Sequence, residues 1–405
     1  MDYPIIFIPG LYGSMGDDVI KGTGDFSFGL AENIYRPFIE ILNAMGYEEG
    51  HDLFISYYDW KRSVLDSVDK YLYPDIEKVK RKTGASKVIL IGHSLGGLLA
   101  RAYVTYFNPS SVDKLIMIAT PNLGAANAYY LWSGGKLPYP KIEDNIIYNA
   151  LKLGFMYHFN LFNDNNYIEA LRGMFPVAKD LLPSYKYGNY LLYEENGVKK
   201  EIPIEKMSIE NSFLNRLNRE NISKDNLYII SGNNTHTNME FLVDIRGKEN
   251  FRWADGNPVQ IYKTNYGDGT VTTFSSLGYL GTNNIVLDGD HINILYRSKN
   301  HLSSILGKPF IKDVKEKSIE KVYILLADDC KKVNVRASKS NIVSRDEVQI
   351  VDSEVKTVNL STNKRLIMVT GSDDLDIKVS AEPIRRGKAK IYGAVVKKDG
   401  VEYID

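Results

Sequence analysis

The chain has 405 residues, more than most single hydrophobic cores hold, so two domains or one large decorated domain is expected. Lysine plus arginine and aspartate plus glutamate each total 50; this zero net charge argues against a nucleic-acid partner, which requires a basic face. One cysteine, Cys330, excludes an internal disulfide framework and disfavours a thiolate metal site.

Met1-Asp2-Tyr3-Pro4 runs directly into a strand without an apolar leader, so a cytoplasmic chain is expected; a leader already removed would make it a secreted one. No apolar run approaches the roughly 18 residues needed to span a bilayer, so no transmembrane segment is expected. Pro4-Ile5-Ile6-Phe7-Ile8 is almost wholly apolar, as suits a strand buried on both faces of a parallel sheet. Pro9-Gly10-Leu11-Tyr12-Gly13-Ser14 breaks it. The strand signal returns at 53–57, 87–91 and 114–118, with helical patterns at 35–45 and 64–82 between. This β-α-β alternation predicts an open, doubly wound, mostly parallel sheet, whose ligands bind beyond the carboxyl ends of the strands.

Leu90-Ile91-Gly92-His93-Ser94-Leu95-Gly96-Gly97 ends one strand and opens a helix, which is the setting of a nucleophile elbow. After Asn122-Leu123-Gly124 the strand rhythm stops until 226–230. The intervening Tyr-, Leu- and Asn-rich stretch reads as a helical cap inserted at about 125–225, whose apolar stripes would line an acyl-chain pocket or bury against the core. Two alternating runs, 240–244 and 258–262, predict an antiparallel excursion. Tyr266-Gly267-Asp268-Gly269-Thr270-Val271 follows, then a strand at 284–288 and the turn Gly289-Asp290-His291-Ile292-Asn293. Beyond the lysine-rich linker at 307–318, short strands at 322–326, 347–351, 357–360, 365–369, 376–379 and 389–395 predict a small all-β, sandwich-like domain. The expected division is therefore a catalytic domain over 1–311 and a β domain over 312–405, the latter a stabilising or docking module, with a lipid or sugar binder as the alternative.

Ser94, an acid and His291 occur in the order that an elbow serine requires. A serine hydroxyl is a poor nucleophile near neutrality, so His291 must take its proton and return it to the leaving group, while Asp268 accepts the other imidazole N–H. Asp288 and Asp290 are rivals for the acid, but they share the histidine's own loop. His51, His158, His236 and His301 fit packing or surface roles, and His93 is expected to point away from the elbow. The oxyanion needs two backbone donors. Leu95, directly after the nucleophile, supplies one; the turn after the first strand supplies the other, at Leu11 with Tyr12 as the alternative. This chemistry calls for no metal and no cofactor.

Pro9-Gly10-Leu11-Tyr12-Gly13-Ser14, Tyr58-Asp59-Trp60, Gly92-His93-Ser94-Leu95-Gly96-Gly97, Gly267-Asp268-Gly269-Thr270-Val271 and His291-Ile292-Asn293 together resemble the successive motifs of the lecithin:cholesterol acyltransferase-like lipases. The resemblance spans roughly residues 4–306. It implies an α/β-hydrolase fold, Ser94 as nucleophile with Asp268 and His291, an oxyanion hole at Leu11, and a fatty acyl ester as substrate. Lys61 stands where the family often has Arg, and Thr272 where Pro is common; with one cysteine, the disulfide-closed lid of the animal members is absent. The expected activity is a lipase or esterase acting on acylglycerols or related lipids, with contact to a lipid interface through the cap. Acyl transfer to an alcohol or lipid acceptor, or phospholipase A activity, is the alternative; a silent binding protein on a hydrolase scaffold is the remote one.

Overall fold

The computed structural model describes residues 3–137, 145–159, 168–247, 252–281, 283–315, 319–337, 355–361, 363–384 and 389–404. Two compact units account for the chain: 1–11, 38–144 and 163–314 form the first, and 12–37, 145–162 and 315–405 form the second. The expected strand at 347–351 lies outside the described residues. No helix among the described residues is long and apolar enough to cross a membrane.

The first unit is built on six parallel strands: β1 (Ile5–Ile8), β2 (Leu53–Ile55), β3 (Val88–His93), β4 (Val112–Ile118), β5 (Leu227–Asn233) and β6 (Asn283–Asp288). Their order across the sheet is β6-β5-β4-β3-β1-β2. Every residue of β1 and β3 is buried, as the unbroken apolar runs predict for strands covered on both faces. β6 lies at the sheet edge and alternates between half-buried and exposed positions. The register pairs Ile8 with Gly92, His93 with Ile118, and Ile118 with Ile230, so β1, β3, β4 and β5 finish side by side. Loops leaving that end converge, which is where a doubly wound sheet presents a site.

The segment expected as a helical cap is of mixed structure. Short helices at Ile168–Met174, Val177–Asp180 and Ser212–Leu217 are joined by a hairpin, Leu191–Glu195 with Val198–Ile202. The hairpin's first strand pairs with Thr237–Asp244, and that strand pairs with Asn257–Thr264, giving a separate four-stranded sheet. Its apolar side gathers Tyr129, Tyr190, Leu191, Phe241 and Trp253. A Cβ on Gly134 would sit 2.0 Å from the Trp253 ring, so only glycine lets the indole close over that turn.

In the second unit an antiparallel sheet runs in the order Val355–Ser361, Lys364–Gly371, Lys321–Asp328, Lys390–Lys397, Gly400–Ile404, and a two-stranded sheet pairs Cys330–Ala337 with Ile377–Pro383. Leu325, Val333, Val335, Ile367 and Val369 share one core. Helix Ile146–Phe159 packs against Lys321–Asp328 and Lys390–Lys397, with Gly154 facing Ile324 and Leu366. Residues 12–37 join the same sheet: Val19 donates its amide to the Asn359 carbonyl, and Asn33 Nδ2 donates to Thr370 Oγ1 at 3.0 Å. Strand Lys321–Asp328 is buried on both faces, which explains why its centre reads as a continuous apolar run instead of an alternating one.

Candidate active site

Ser94 joins β3 to helix Leu95–Tyr106 with φ 53° and ψ −122°, a conformation that a non-glycine residue keeps only when its surroundings enforce it. Two backbone bonds help to do so: Ser94 donates its amide to the Ile118 carbonyl at 2.8 Å, and Gly97 donates to the Ser94 carbonyl at 3.0 Å. The flanking glycines make the bend possible. A Cβ on Gly96 would stand 2.2 Å from the Ile8 carbonyl oxygen, and one on Gly92 would stand 2.5 Å from Gly97 Cα.

His291 sits in the turn after β6 and reaches both partners. Its Nδ1 lies 2.8 Å from Asp268 Oδ2 and its Nε2 lies 2.9 Å from Ser94 Oγ. A carboxylate accepts only, so Nδ1 carries the hydrogen and Nε2 is left to accept from the serine hydroxyl. Exposure is 1% for His291 and Asp268 and 6% for Ser94, so these charge-assisted contacts act in a medium that screens poorly. The Asp268 turn is rigid. Its Oδ1 accepts from the amides of Thr270 at 2.9 Å and Val271 at 2.7 Å, and its backbone carbonyl accepts from the His291 amide at 2.8 Å. Gly269 takes φ 93° and donates to Thr237 Oγ1, while a Cβ on Gly232 would press within 2.5 Å of Asp268 Cβ.

The two rival acids are placed elsewhere. Asp290 Oδ1 accepts the amides of Ile292 and Asn293, capping its own turn, and Asp288 is exposed at the end of β6. His51 and His236 are exposed, and His158 lies in helix Ile146–Phe159 of the second unit.

Leu95 opens the helix after the nucleophile, where the first N–H groups have no partner within the helix and the dipole favours negative charge. Leu11 follows Pro9-Gly10 beyond β1, and the Tyr58 hydroxyl fixes that turn by donating to the Pro9 carbonyl at 2.7 Å. Tyr58-Asp59-Trp60 thus gains physical roles that the residue pattern left open. Asp59 forms a buried pair with Lys61, and Trp60 stacks on Phe175 with centroids 5.6 Å apart. His93 also lies on the site, with its ring against His291, a placement that its sequence position beside the nucleophile did not foretell.

The parallel sheet, the strained serine elbow and the acid and histidine on later loops define an α/β-hydrolase fold. The lecithin:cholesterol acyltransferase family model matches residues 27–154. Phospholipase A(1) LCAT3 of Arabidopsis thaliana is 35% identical over 96 residues, covering 22% of this chain and 21% of that protein. A triacylglycerol lipase of Pseudarthrobacter phenanthrenivorans is 28% identical over 131 residues, covering 32% of this chain and 36% of the lipase. The matches therefore span well under half the length of these curated relatives. Among solved structures, the mature Bacillus licheniformis lipase BlEst2 aligns over 75% of this chain and 92% of its own, at 16% identity and a TM-score of 0.35. The family model and the plant relative show a resemblance to lecithin:cholesterol acyltransferase-like proteins over part of the chain, residues 27–154 for the family model.

Proposed function

We propose that the protein is a serine carboxylic-ester hydrolase, a lipase or esterase cleaving acylglycerols or related lipid esters through an acyl-serine intermediate on Ser94. The observation that carries this is the unbroken hydrogen-bond chain from Ser94 Oγ through His291 to Asp268. Ser94 Oγ attacks the ester carbonyl carbon as its proton passes to His291 Nε2, and Asp268 steadies the imidazolium. The oxyanion accepts from the backbone N–H groups of Leu11 and Leu95. Collapse breaks the bond to the alcohol, which leaves with the proton from His291. Water then attacks the acyl-serine by the same route and releases the acid. The lipid character of the substrate is supported by the family model and by relatives named as a phospholipase A(1) and triacylglycerol lipases.

Ser94→Ala is expected to abolish p-nitrophenyl ester cleavage and fluorophosphonate labelling with an unchanged melting temperature. Full turnover in that variant would overturn the mechanism. A second reading, transfer of the acyl group to a lipid or alcohol acceptor, is favoured by the acyltransferase family model. It requires an acyl-acceptor product when acceptor is added, and free fatty acid alone would remove it.

A further inference from the structure

His93 closes β3 at 1% exposure, and its Nε2 lies 2.8 Å from the backbone carbonyl oxygen of His291. A carbonyl oxygen only accepts, so Nε2 carries the hydrogen. We propose that His93 is a positioning residue for the base: it holds the backbone of His291 while its neighbour Ser94 engages the ring, so two consecutive residues fix both halves of one histidine. The inference rests on the serine-hydrolase function proposed above.

The sheet order gives this contact its purpose. His291 follows β6, an edge strand that among the described residues pairs only with β5, whereas His93 ends β3 near the sheet centre. The loop is held locally by the Gly289 amide on the Asn233 carbonyl and the His291 amide on the Asp268 carbonyl, both on its own side of the sheet. The carbonyl bond ties the His291 loop across the intervening strands to the residue beside the nucleophile. Every polar group of His291 is then engaged: the amide by the Asp268 carbonyl, Nδ1 by Asp268 Oδ2, Nε2 by Ser94 Oγ, and the carbonyl by His93. Removing this tie frees the imidazole to drift from Ser94 Oγ, and a misplacement of about 1 Å is enough to cost on the order of 100-fold in rate.

The chemistry of His93 suits the role. Burial, reinforced by the nearby His291, holds its pKa well below the usual histidine range, so the ring donates as a neutral group. The two rings lie 5.0 Å apart, a distance at which a second positive charge would oppose the imidazolium that forms on His291 in each half-reaction. A neutral donor holds the backbone without that opposition.

The test uses the full chain, p-nitrophenyl butyrate turnover, fluorophosphonate labelling rate and thermal melts, with Ser94→Ala as control. His93→Leu is expected to lower kcat by about 10- to 100-fold with KM changed less than about threefold, and to slow labelling by a similar factor. His93→Gln, whose side-chain N–H can reach the same carbonyl, is expected to recover to within about fivefold of the parent. Should His93→Leu fail to fold, His93→Met against His93→Gln makes the same comparison. Parent-like kcat without the donor, or a glutamine variant as slow as the donor-free one, overturns the positioning role. Turnover surviving in Ser94→Ala overturns instead the function on which it rests.

Discussion

Asp268 serves two customers with its two oxygens: Oδ1 takes the amides of Thr270 and Val271, and Oδ2 takes the imidazole Nδ1–H. Asparagine cannot satisfy both. With its carbonyl toward His291, its NH2 faces two amide donors; turned the other way, it faces a ring nitrogen that must then give up its hydrogen and present the wrong tautomer to Ser94. Asp268→Asn is therefore expected to lower kcat on the order of 10³- to 10⁴-fold with little change in KM, measured by steady-state ester hydrolysis. The sequence favours Asp268 because it stands on a glycine-flanked turn separate from the histidine's loop, and its Oδ2 lies 2.8 Å from His291 Nδ1. The duty of Asp290 is not legible there, since nothing in Gly289-Asp290-His291 distinguishes a carboxylate aimed at the ring from one that caps its own turn. The His93 contact is hidden for a similar reason: strand alternation gives the face a side chain leaves from, and no information about a carbonyl arriving from another loop.

The strand–elbow–helix element was legible because its constraint is local. Gly96 and Gly97 were readable as glycines at a bend, but only the fold shows that they fail differently on substitution. A Cβ on Gly96 meets backbone, the carbonyl oxygens of Ile8 at 2.2 Å and Pro9 at 2.6 Å, whereas one on Gly97 meets chiefly the Thr120 side chain, with Oγ1 at 1.8 Å. Gly97→Ala is expected to lower the melting temperature and to be partly rescued by Thr120→Ala, while Gly96→Ala stays destabilised in either background; paired melts of the four variants check this. The hairpin within the cap segment gives no alternating strand signal, because its first strand ends in two exposed glutamates and its second is polar and exposed over most of its length. Its turn carried the usable signal: Asn196-Gly197, both at positive φ, is the pair that a tight two-residue hairpin prefers.

At the scale of the whole molecule, the C-terminal strands announced an all-β region, but the sequence offered no sign that helix Ile146–Phe159 and residues 12–37 would share its unit. Apolar patterning states that a face is buried and is silent on the partner. Aromatic rings bind these segments together: Tyr12 stacks on Phe155 with centroids 5.0 Å apart, and Tyr157 lies against Tyr392 and Tyr403. The same helix carries His158, whose buried Nδ1 has no hydrogen-bond partner among the described residues and whose pKa is pushed down to about 4, by burial first and then by Lys364. A histidine held below its unfolded pKa contributes stability that is present above about pH 6.5 and is lost as pH falls toward 4, because the unfolded chain takes up the proton first. The parent is thus expected to lose melting temperature between pH 6.5 and 4, and His158→Phe to flatten that slope, as followed by calorimetry across pH.

Assembly of the second unit from three separated stretches also has a consequence in time. Residues 12–37 and helix 146–159 leave the ribosome well before strand Lys321–Asp328, on which the helix packs. At about 5–20 residues per second, the helix waits on the order of ten seconds or more for that strand. Synthesis therefore contains an interval in which a finished apolar helix has no sheet to lie on.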